Sequence, residues 1–277
     1  ANAVTPLVLG HEFSGKVVKV GPDVTTLKPG DRVTSETTFA TDETCIYCQD
    51  KEYNLCPNRE GIGTKANGSM ANYVLTREES AHILPDNVSY KMAAMSEPLA
   101  SCVHAMYQKT PFTLHDTLLI IGPGPMGLLS LQIAKEIGAR VFVSGITKDA
   151  DRLQIAKELG ADIVIDTQKE DLEKIIMDAT DGVGVTKVYD CSGATPAVNA
   201  ALPLIRKGGT FQQVGLFAKP MNELDERSII QHEITYRGSR SQNPYDWAIA
   251  LHLESKGAIN QDAMITKIFD LEHWRDA

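Results

Sequence analysis

The chain has 277 residues, which is enough for two domains with substantial cores. Its net charge of −9 argues against nucleic acid or an anionic membrane surface as a partner, because their phosphates would be repelled. No apolar run is long enough to span a bilayer. The five cysteines include a C-x-x-C pair, a pattern that favours metal binding in a reducing compartment over disulfides. We therefore expect a cytoplasmic protein.

The segment 17–77 consists of short alternating runs separated by turn signals such as Gly21-Pro22 and Pro29-Gly30. The runs KVVKVGPD, LKPGDRV and ANYVL are typical of short strands. This part of the chain predicts a β-rich domain, and the chemically informative residues lie in it and just before it.

The pair His11-Glu12 follows Gly10 at the end of the apolar run Leu7-Val8-Leu9. Imidazole and carboxylate both ligate zinc. Adjacent side chains of a regular strand point to opposite faces, so both reach one ion only if the backbone bends, which Gly10 permits. Otherwise His11 is the ligand and Glu12 supports it. On its own, such a pair is more often a coincidence at the surface than a metal site.

A polar segment carries Asp42, Cys45, Cys48 and Cys56. Three cysteines within twelve residues have the spacing of a structural zinc site, and Asp42 stands where a fourth thiolate would complete the ligand set. A carboxylate is a harder ligand than a thiolate, which leaves open a weaker site or a reduced cysteine lobe without metal.

A helical pattern begins near Lys91 and includes Glu97, which precedes Pro98. It leads to the apolar run 118–121, a continuous stretch typical of a parallel strand buried on both faces. Next comes a G-x-G-x-x-G turn and an apolar-periodic helix that ends at Gly138. This context predicts dinucleotide binding by Gly122, Gly124, Pro125, Met126 and Gly127. The alternative is a glycine-rich turn without a ligand.

Strands and helices then alternate, which predicts a doubly wound parallel sheet with its ligand at the carboxyl ends of the strands. The predicted strands are 140–144, 163–166, 187–191 and 210–216, and the predicted helices are 149–159, 169–179 and 194–205. Residues 243–257 have helical periodicity, and 263–271 is typical of a further strand.

The end of the second predicted strand of this sheet lacks the acid that binds the ribose hydroxyls of NAD. Gly145 stands near that place, and Asp149 is expected to begin the next helix. Without a carboxylate there is neither attraction for the ribose nor repulsion of a 2′-phosphate. Thr147 and Lys148 are able to bind that phosphate. The segment therefore favours NADP modestly over NAD.

Together these motifs resemble the zinc-dependent medium-chain dehydrogenase/reductase family, and most closely its polyol dehydrogenases of the sorbitol (L-iditol) 2-dehydrogenase type. The resemblance covers essentially the whole chain and is carried by GHEFSG (10–15), PGDRV (29–33), YNLC (53–56), EPLA (97–100), GPGPMG (122–127), DCSG (190–193) and GGTFQQVG (208–215).

The resemblance implies a GroES-like catalytic domain at 1–98, a Rossmann domain at 99–240 and a return into the catalytic domain at 241–277. It also implies that a zinc ion polarises an alcohol oxygen and that a hydride passes to the nicotinamide. His11 would ligate this zinc, Glu12 would ligate it or support a ligand, and Glu97 would supply a further carboxylate. The expected reaction oxidises a secondary alcohol of a polyol to a ketone, in a homodimer or homotetramer.

The chain also departs from the family pattern. The family's catalytic cysteine lies upstream of the GHE motif, and its members continue past a position like Ala277, so we expect both ends to be incomplete here. Alternatives that stay open are an amino-acid alcohol such as threonine or a sugar phosphate as substrate. A different class is a nucleotide-binding protein that kept the fold and lost the metal site.

Overall fold

The computed structural model describes residue 3 and residues 5–276, and it divides the chain into two compact units. The first unit comprises Ala1–Ser101, Ser241–Gly257 and Gln261–Ala277. The second unit comprises Cys102–Arg240 and Ala258–Asn260. Each unit is built from residues distant in sequence, because the chain crosses from the first to the second and later returns.

The strands of the first unit are short and pair antiparallel. They are β1 (Ser14–Lys16), β2 (Arg32–Ser35), β3 (Thr38–Ala40), β4 (Glu60–Gly61) and β5 (Ala81–Ile83). One sheet has the order β1-β2-β5, and β3 pairs with β4. The predicted β-rich character of this unit is confirmed.

Two predicted strands of this unit are not formed. The pairing of β1 with β2 extends only to Val17, whose N–H donates to the Asp31 carbonyl at 2.9 Å. Beyond it, residues 18–20 are irregular, and so are residues 71–75. A strand needs a neighbouring backbone for its hydrogen bonds, and the described part of the chain places no strand beside either run.

The helices in the first part of this unit are α1 (Ile46–Gln49), α2 (Tyr90–Ala93) and α3 (Ser96–Val103), and the last two residues of α3 belong to the second unit. The hydroxyl of Ser89 caps α2 by accepting a hydrogen bond from the Met92 N–H. The helical pattern predicted from Lys91 is thus present, in two short helices instead of one. Helix α3 carries Glu97 in its first turn.

The second unit contains a parallel sheet. Its strands are β6 (Thr117–Ile121), β7 (Arg140–Gly145), β8 (Ile163–Asp166), β9 (Val185–Asp190), β10 (Ile205–Gln213) and β11 (Thr235–Gly238). The order β11-β10-β9-β6-β7-β8 is that of a doubly wound dinucleotide-binding sheet, and every pairing is parallel. The predicted architecture, a Rossmann-type doubly wound parallel sheet plus a β-rich domain, is confirmed.

The helices of this unit are α4 (Pro125–Ile137), α5 (Ala150–Glu158), α6 (Leu172–Ala179), α7 (Thr195–Ala201) and α8 (Glu226–Gln231). Helix α6 begins three residues later than predicted because the Asp171 carboxylate accepts a hydrogen bond from the Lys174 N–H at 3.0 Å and caps the helix there. Helix α4 ends at Gly138, which has a φ of 91°.

The core of this unit lies between the sheet and its helices. Leu119, Phe142 and Phe211 each expose 0% of their surface. Full burial of side chains of this size contributes about 1.5–3 kcal/mol each. Helices on both faces of the sheet therefore explain the continuous apolar runs of the strands. The buried strands hold the carboxyl ends of β6, β7 and β9 at one edge of the sheet.

The returning segment contributes α9 (Pro244–Ser255) to the first unit, where Leu251 packs against Leu84, Val88 and Ala93. The strand predicted at 263–271 is wrong. Residues Asp262–Met264 and Leu271–Asp276 form 3-10 turns, and the residues between them are irregular, because the described structure offers no strand to pair with. Among the described residues, no helix is long and apolar enough to cross a membrane.

Candidate metal sites and dinucleotide pocket

Gly10 shapes the backbone that presents His11 and Glu12. Its φ of 89° lies in the left-handed region, and a Cβ there would sit 2.8 Å from Ser69 Oγ. The loop opposite fixes this bend, since the Ser69 N–H donates to the Gly10 carbonyl at 2.9 Å. The bend that the sequence permits at this position is therefore present.

His11, Glu12 and Glu97 are brought together in the first unit. Each offers one ligand atom, and these atoms all lie within 4.8 Å of one another. Burial raises the pKa of Glu97, His11 opposes this rise, and the carboxylate of Glu12 adds to it. A divalent cation at the centre would remove the repulsion between the two carboxylates. Imidazole with carboxylate oxygen is a ligand set that zinc accepts, so these residues fit the ion.

The second cluster is the lobe formed by Asp42, Cys45, Cys48 and Cys56. One ligand atom from each lies within 4.8 Å of the others, and Cys45 Sγ is 3.5 Å from Cys48 Sγ. Two thiolates about 2.3 Å from a tetrahedral zinc ion stand roughly 3.8 Å apart, close to this spacing. All five cysteines of the chain are free. The cysteines and the carboxylate therefore fit a closed structural zinc site.

Hydrogen bonds shift the pKa of Asp42, and desolvation shifts the pKa of Cys45. The Asp42 carboxylate accepts from the backbone N–H of Cys45 at 2.9 Å and from Asn58 Nδ2 at 3.0 Å. The Cys45 N–H, aided by Asn58, holds the pKa of Asp42 well below its usual range. Desolvation raises the pKa of the Cys45 thiol to about 12, with a further increase from Asp42. A thiolate at Cys45 thus requires a cation beside it, which zinc supplies on binding.

In the second unit, a cavity of about 620 Å³ opens at the carboxyl ends of β6, β7 and β9. Gly122 and Gly124 line it, and Gly122 has a φ of 95°. Helix α4 begins at Pro125, directly after Gly124, and the N–H groups of its first turn have no partner within the helix. This is the environment that the fingerprint predicts for a pyrophosphate.

The remaining fingerprint residues lie behind the cavity wall. A Cβ on Gly127 would approach the Gly122 carbonyl oxygen to 2.1 Å, so a glycine is needed for α4 to pack against β6. The Met126 carbonyl accepts from Cys102 Sγ, and Pro125 occupies the first turn of the helix. Pro125, Met126 and Gly127 do not line the cavity, so they contribute by shaping the turn.

The segment that follows β7 differs from the prediction. The Thr147 hydroxyl donates to the Asp166 carboxylate at 2.9 Å instead of lining the cavity. Lys148 lines it and is exposed. Asp149 accepts from the Ile146 N–H at 3.2 Å and begins α5, as predicted. Arg152 also lines the cavity. The sequence reasoning missed it, although it lies one helical turn after Lys148.

Asp190 was also missed as part of the site. It is fully buried at the end of β9, and its carboxylate accepts from the N–H and hydroxyl of Ser192 and from the Gly193 N–H. These bonds fix the loop that forms the cavity wall opposite β7. A charged residue at the end of an apolar strand, followed by Ser and Gly, was the available signal.

Comparison with protein families matches both units of the chain. Residues 1–86 match the alcohol dehydrogenase GroES-like domain, and residues 125–256 match the zinc-binding dehydrogenase domain. The chain belongs to the zinc-binding alcohol dehydrogenase family. The predicted resemblance is thereby confirmed.

Among individual relatives, the chain is 67% identical over 276 residues to D-arabitol-phosphate dehydrogenase of Enterococcus avium, covering 100% of this chain and 78% of that protein. It is 45% identical over 272 residues to sorbitol dehydrogenase of Halalkalibacterium halodurans, covering 98% and 79%. A crystal structure of a Sinorhizobium meliloti protein bound to NADP superposes with a TM-score of 0.92 at 31% identity, covering 100% and 80%.

These comparisons define the class of enzyme. The chain is a zinc-dependent, NAD(P)-linked polyol dehydrogenase, in the class of oxidoreductases that act on CH–OH groups. The expectation of an enzyme is confirmed over that of a binding protein. The chemistry of the donor atoms agrees, because both clusters present zinc ligands and the cavity of the second unit presents a dinucleotide-binding turn.

Proposed function

We propose that the enzyme oxidises a secondary alcohol of a phosphorylated polyol to the corresponding ketone, and reduces the ketone in the reverse direction. The cluster of His11, Glu12 and Glu97 carries the proposal, because it gathers imidazole and carboxylate donors in a dehydrogenase of the zinc-binding family. The similarity to D-arabitol-phosphate dehydrogenase supports a phosphorylated substrate. An unphosphorylated polyol is the second candidate, which the similarity to sorbitol dehydrogenase favours.

In this proposal His11, Glu12 and Glu97 hold the catalytic zinc, and Asp42, Cys45, Cys48 and Cys56 hold a structural zinc. When bound, the catalytic zinc supplies Lewis-acid polarisation of the alcohol oxygen, and NAD(P) accepts the hydride. In this proposal residues 1–98 and 241–277 supply the catalytic domain, and residues 99–240 supply the cofactor domain. The two compact units differ slightly from these bounds, because residues 99–101 lie in the first unit and Ala258–Asn260 lie in the second. The net reaction gives the ketone, NAD(P)H and one proton.

The cofactor is bound by the cavity of the second unit. The turn of Gly122 and Gly124 brings the backbone to the pyrophosphate, and Asp190 holds the wall of the cavity in place. Lys148 and Arg152 line the end where the 2′-phosphate of NADP would lie. Thr147 is engaged by Asp166, and Arg152 lies 3.8 Å from the Asp149 carboxylate, so Lys148 carries most of the proposed preference for NADP.

The proposal also covers the cellular compartment and the oligomeric state of the enzyme. We propose a cytoplasmic enzyme, since free cysteines arranged for metal binding are typical of a reducing compartment. We also propose a homodimer or homotetramer. In the described sheet β11 and β8 are the edge strands, and each has backbone groups that can pair with a second copy. Sedimentation analysis measures the assembly directly.

The test uses the complete protein with a panel of polyol phosphates, polyols and threonine, each with NAD and NADP, and with zinc content measured in parallel. His11→Ala should abolish turnover and remove one zinc per chain, while dinucleotide affinity stays close to that of wild type. Normal turnover in His11→Ala would refute the assignment of the catalytic site. A zinc-loaded wild type that oxidises threonine but no polyol would refute the substrate class.

A further inference from the structure

Gln242 lies in the returning segment just before α9, and only 3% of its surface is exposed. Its amide nitrogen donates to Glu97 Oε1 at 3.1 Å and to Thr37 Oγ1 at 3.2 Å. Its amide oxygen accepts from the hydroxyls of Ser101 at 3.1 Å and Ser241 at 2.7 Å. A side-chain amide has two N–H donors and two lone pairs. The hydrogen-bonding capacity of Gln242 is therefore filled within the first unit.

These partners leave one orientation for the amide. In the ionised form that binds a metal ion, the Glu97 carboxylate only accepts hydrogen bonds, so the nitrogen of Gln242 must face it. The opposite orientation would place the amide oxygen against the carboxylate. Thr37 is itself held, because Arg59 Nη2 donates to its hydroxyl at 2.7 Å. Gln242 is thus a fixed donor aimed at one oxygen of Glu97.

We propose that Gln242 is a positioning residue for the catalytic zinc site. Its N–H holds Oε1 of Glu97, which orients the carboxylate towards His11 and Glu12 before the ion binds. The inference rests on the proposed function, which assigns these three residues to zinc. A glutamate without such a partner would lose rotamer freedom on binding the ion, which lowers affinity. Partners of metal ligands are typically worth about 10–100-fold in metal affinity.

A purely structural role is the competing explanation, since Gln242 also ties the returning segment to Thr37 and Ser101. The two explanations differ in one respect. If Gln242 acts through Glu97, its removal has little effect on zinc once Glu97 is gone. If it only stabilises the fold, the effects of the two substitutions are additive.

The experiment is a double-mutant cycle in the complete protein with wild type, Gln242→Leu, Glu97→Ala and the double variant. Zinc affinity is measured by competition with a chelator, and the cysteine lobe serves as an internal reference. Gln242→Leu should weaken zinc binding at the catalytic site about 10–100-fold and leave the lobe unchanged. In the Glu97→Ala background it should change affinity by less than about twofold.

Gln261 provides a matched control. It is 1% exposed, and its Nε2 donates to the Glu254 carboxylate at 2.8 Å, a similar contact in the same unit outside both metal clusters. Gln261→Leu should lower stability without changing zinc affinity. Thr37→Val is the milder second variant, which removes the hydroxyl that helps hold the Gln242 amide, and should weaken zinc binding several-fold.

Unchanged zinc affinity in Gln242→Leu, or in Thr37→Val if the first variant does not fold, would overturn the proposal. So would a loss that is fully additive with Glu97→Ala. Full zinc content in His11→Ala would instead refute the metal assignment of the proposed function. The failures of the two proposals are therefore distinguishable.

Discussion

The buried carboxyl group of Glu254 is expected to make the protein less stable as the pH rises, and a single substitution should remove this effect. It lies on α9 with 1% of its surface exposed, and its carboxyl oxygens accept from Ser96 Oγ and Gln261 Nε2, each at 2.8 Å. Burial raises its pKa from 4.5 to about 7, because two neutral donors compensate only part of the lost hydration. The folded protein therefore keeps this proton to a higher pH than the unfolded chain does.

The sign and size follow from linkage. Since the folded pKa is raised, the stabilising contribution is complete below pH 4.5 and is lost as the pH rises through about 7. Each unit by which the pKa of the folded state exceeds that of the unfolded chain corresponds to about 1.4 kcal/mol, so the full effect on the free energy of unfolding is about 3 kcal/mol. Glu254→Gln keeps the shape and removes the charge. Its stability relative to wild type should increase by about 2 to 3 kcal/mol between pH 5 and pH 8.

The assay is urea unfolding at several pH values with zinc held constant, followed by tryptophan fluorescence. Both tryptophans, Trp247 and Trp274, lie in the same unit as Glu254, so the signal reports on that unit. Effects of pH that both proteins share cancel in the difference. Glu60→Gln, at an exposed position in the same unit, controls for the loss of one negative charge. A difference between Glu254→Gln and wild type that stays constant from pH 5 to pH 8 would refute the reasoning.

The remaining predictions concern the lobe and the cofactor. Cys48→Ser should remove one zinc per chain and lower the melting temperature by at least about 5 °C, whereas Cys102→Ser should leave the zinc content unchanged; metal analysis and calorimetry decide this. Lys148→Ala should weaken NADP about two- to fivefold without affecting NAD, because an exposed charge contributes about 1 kcal/mol or less. Gly145→Asp should shift the cofactor preference towards NAD, although the new Cβ would sit 3.1 Å from Pro123 Cδ. Titrations with NAD and NADP that show an unchanged preference would contradict this prediction.

Local signals were enough to predict much of the site. The glycine turn between β6 and α4 and the spacing of the three lobe cysteines are contained in single short segments. Glu97 was harder to predict, since a carboxylate before a proline usually faces solvent, and only the family resemblance drew attention to it. Arg152 was missed because its distance from the fingerprint carries no fixed meaning until β7 and α5 are placed.

The sequence by itself determined the elements whose signal lies within a few neighbouring residues: the parallel strands, the dinucleotide turn, the cysteine lobe and the bend before His11. Only the tertiary structure decided what depends on partners distant along the chain. It showed that 71–75 and 263–271 are not strands, because strands need neighbours to pair with. It also brought Gln242 to Glu97 across 145 positions of sequence and engaged Thr147 with Asp166, contacts that no local pattern encodes.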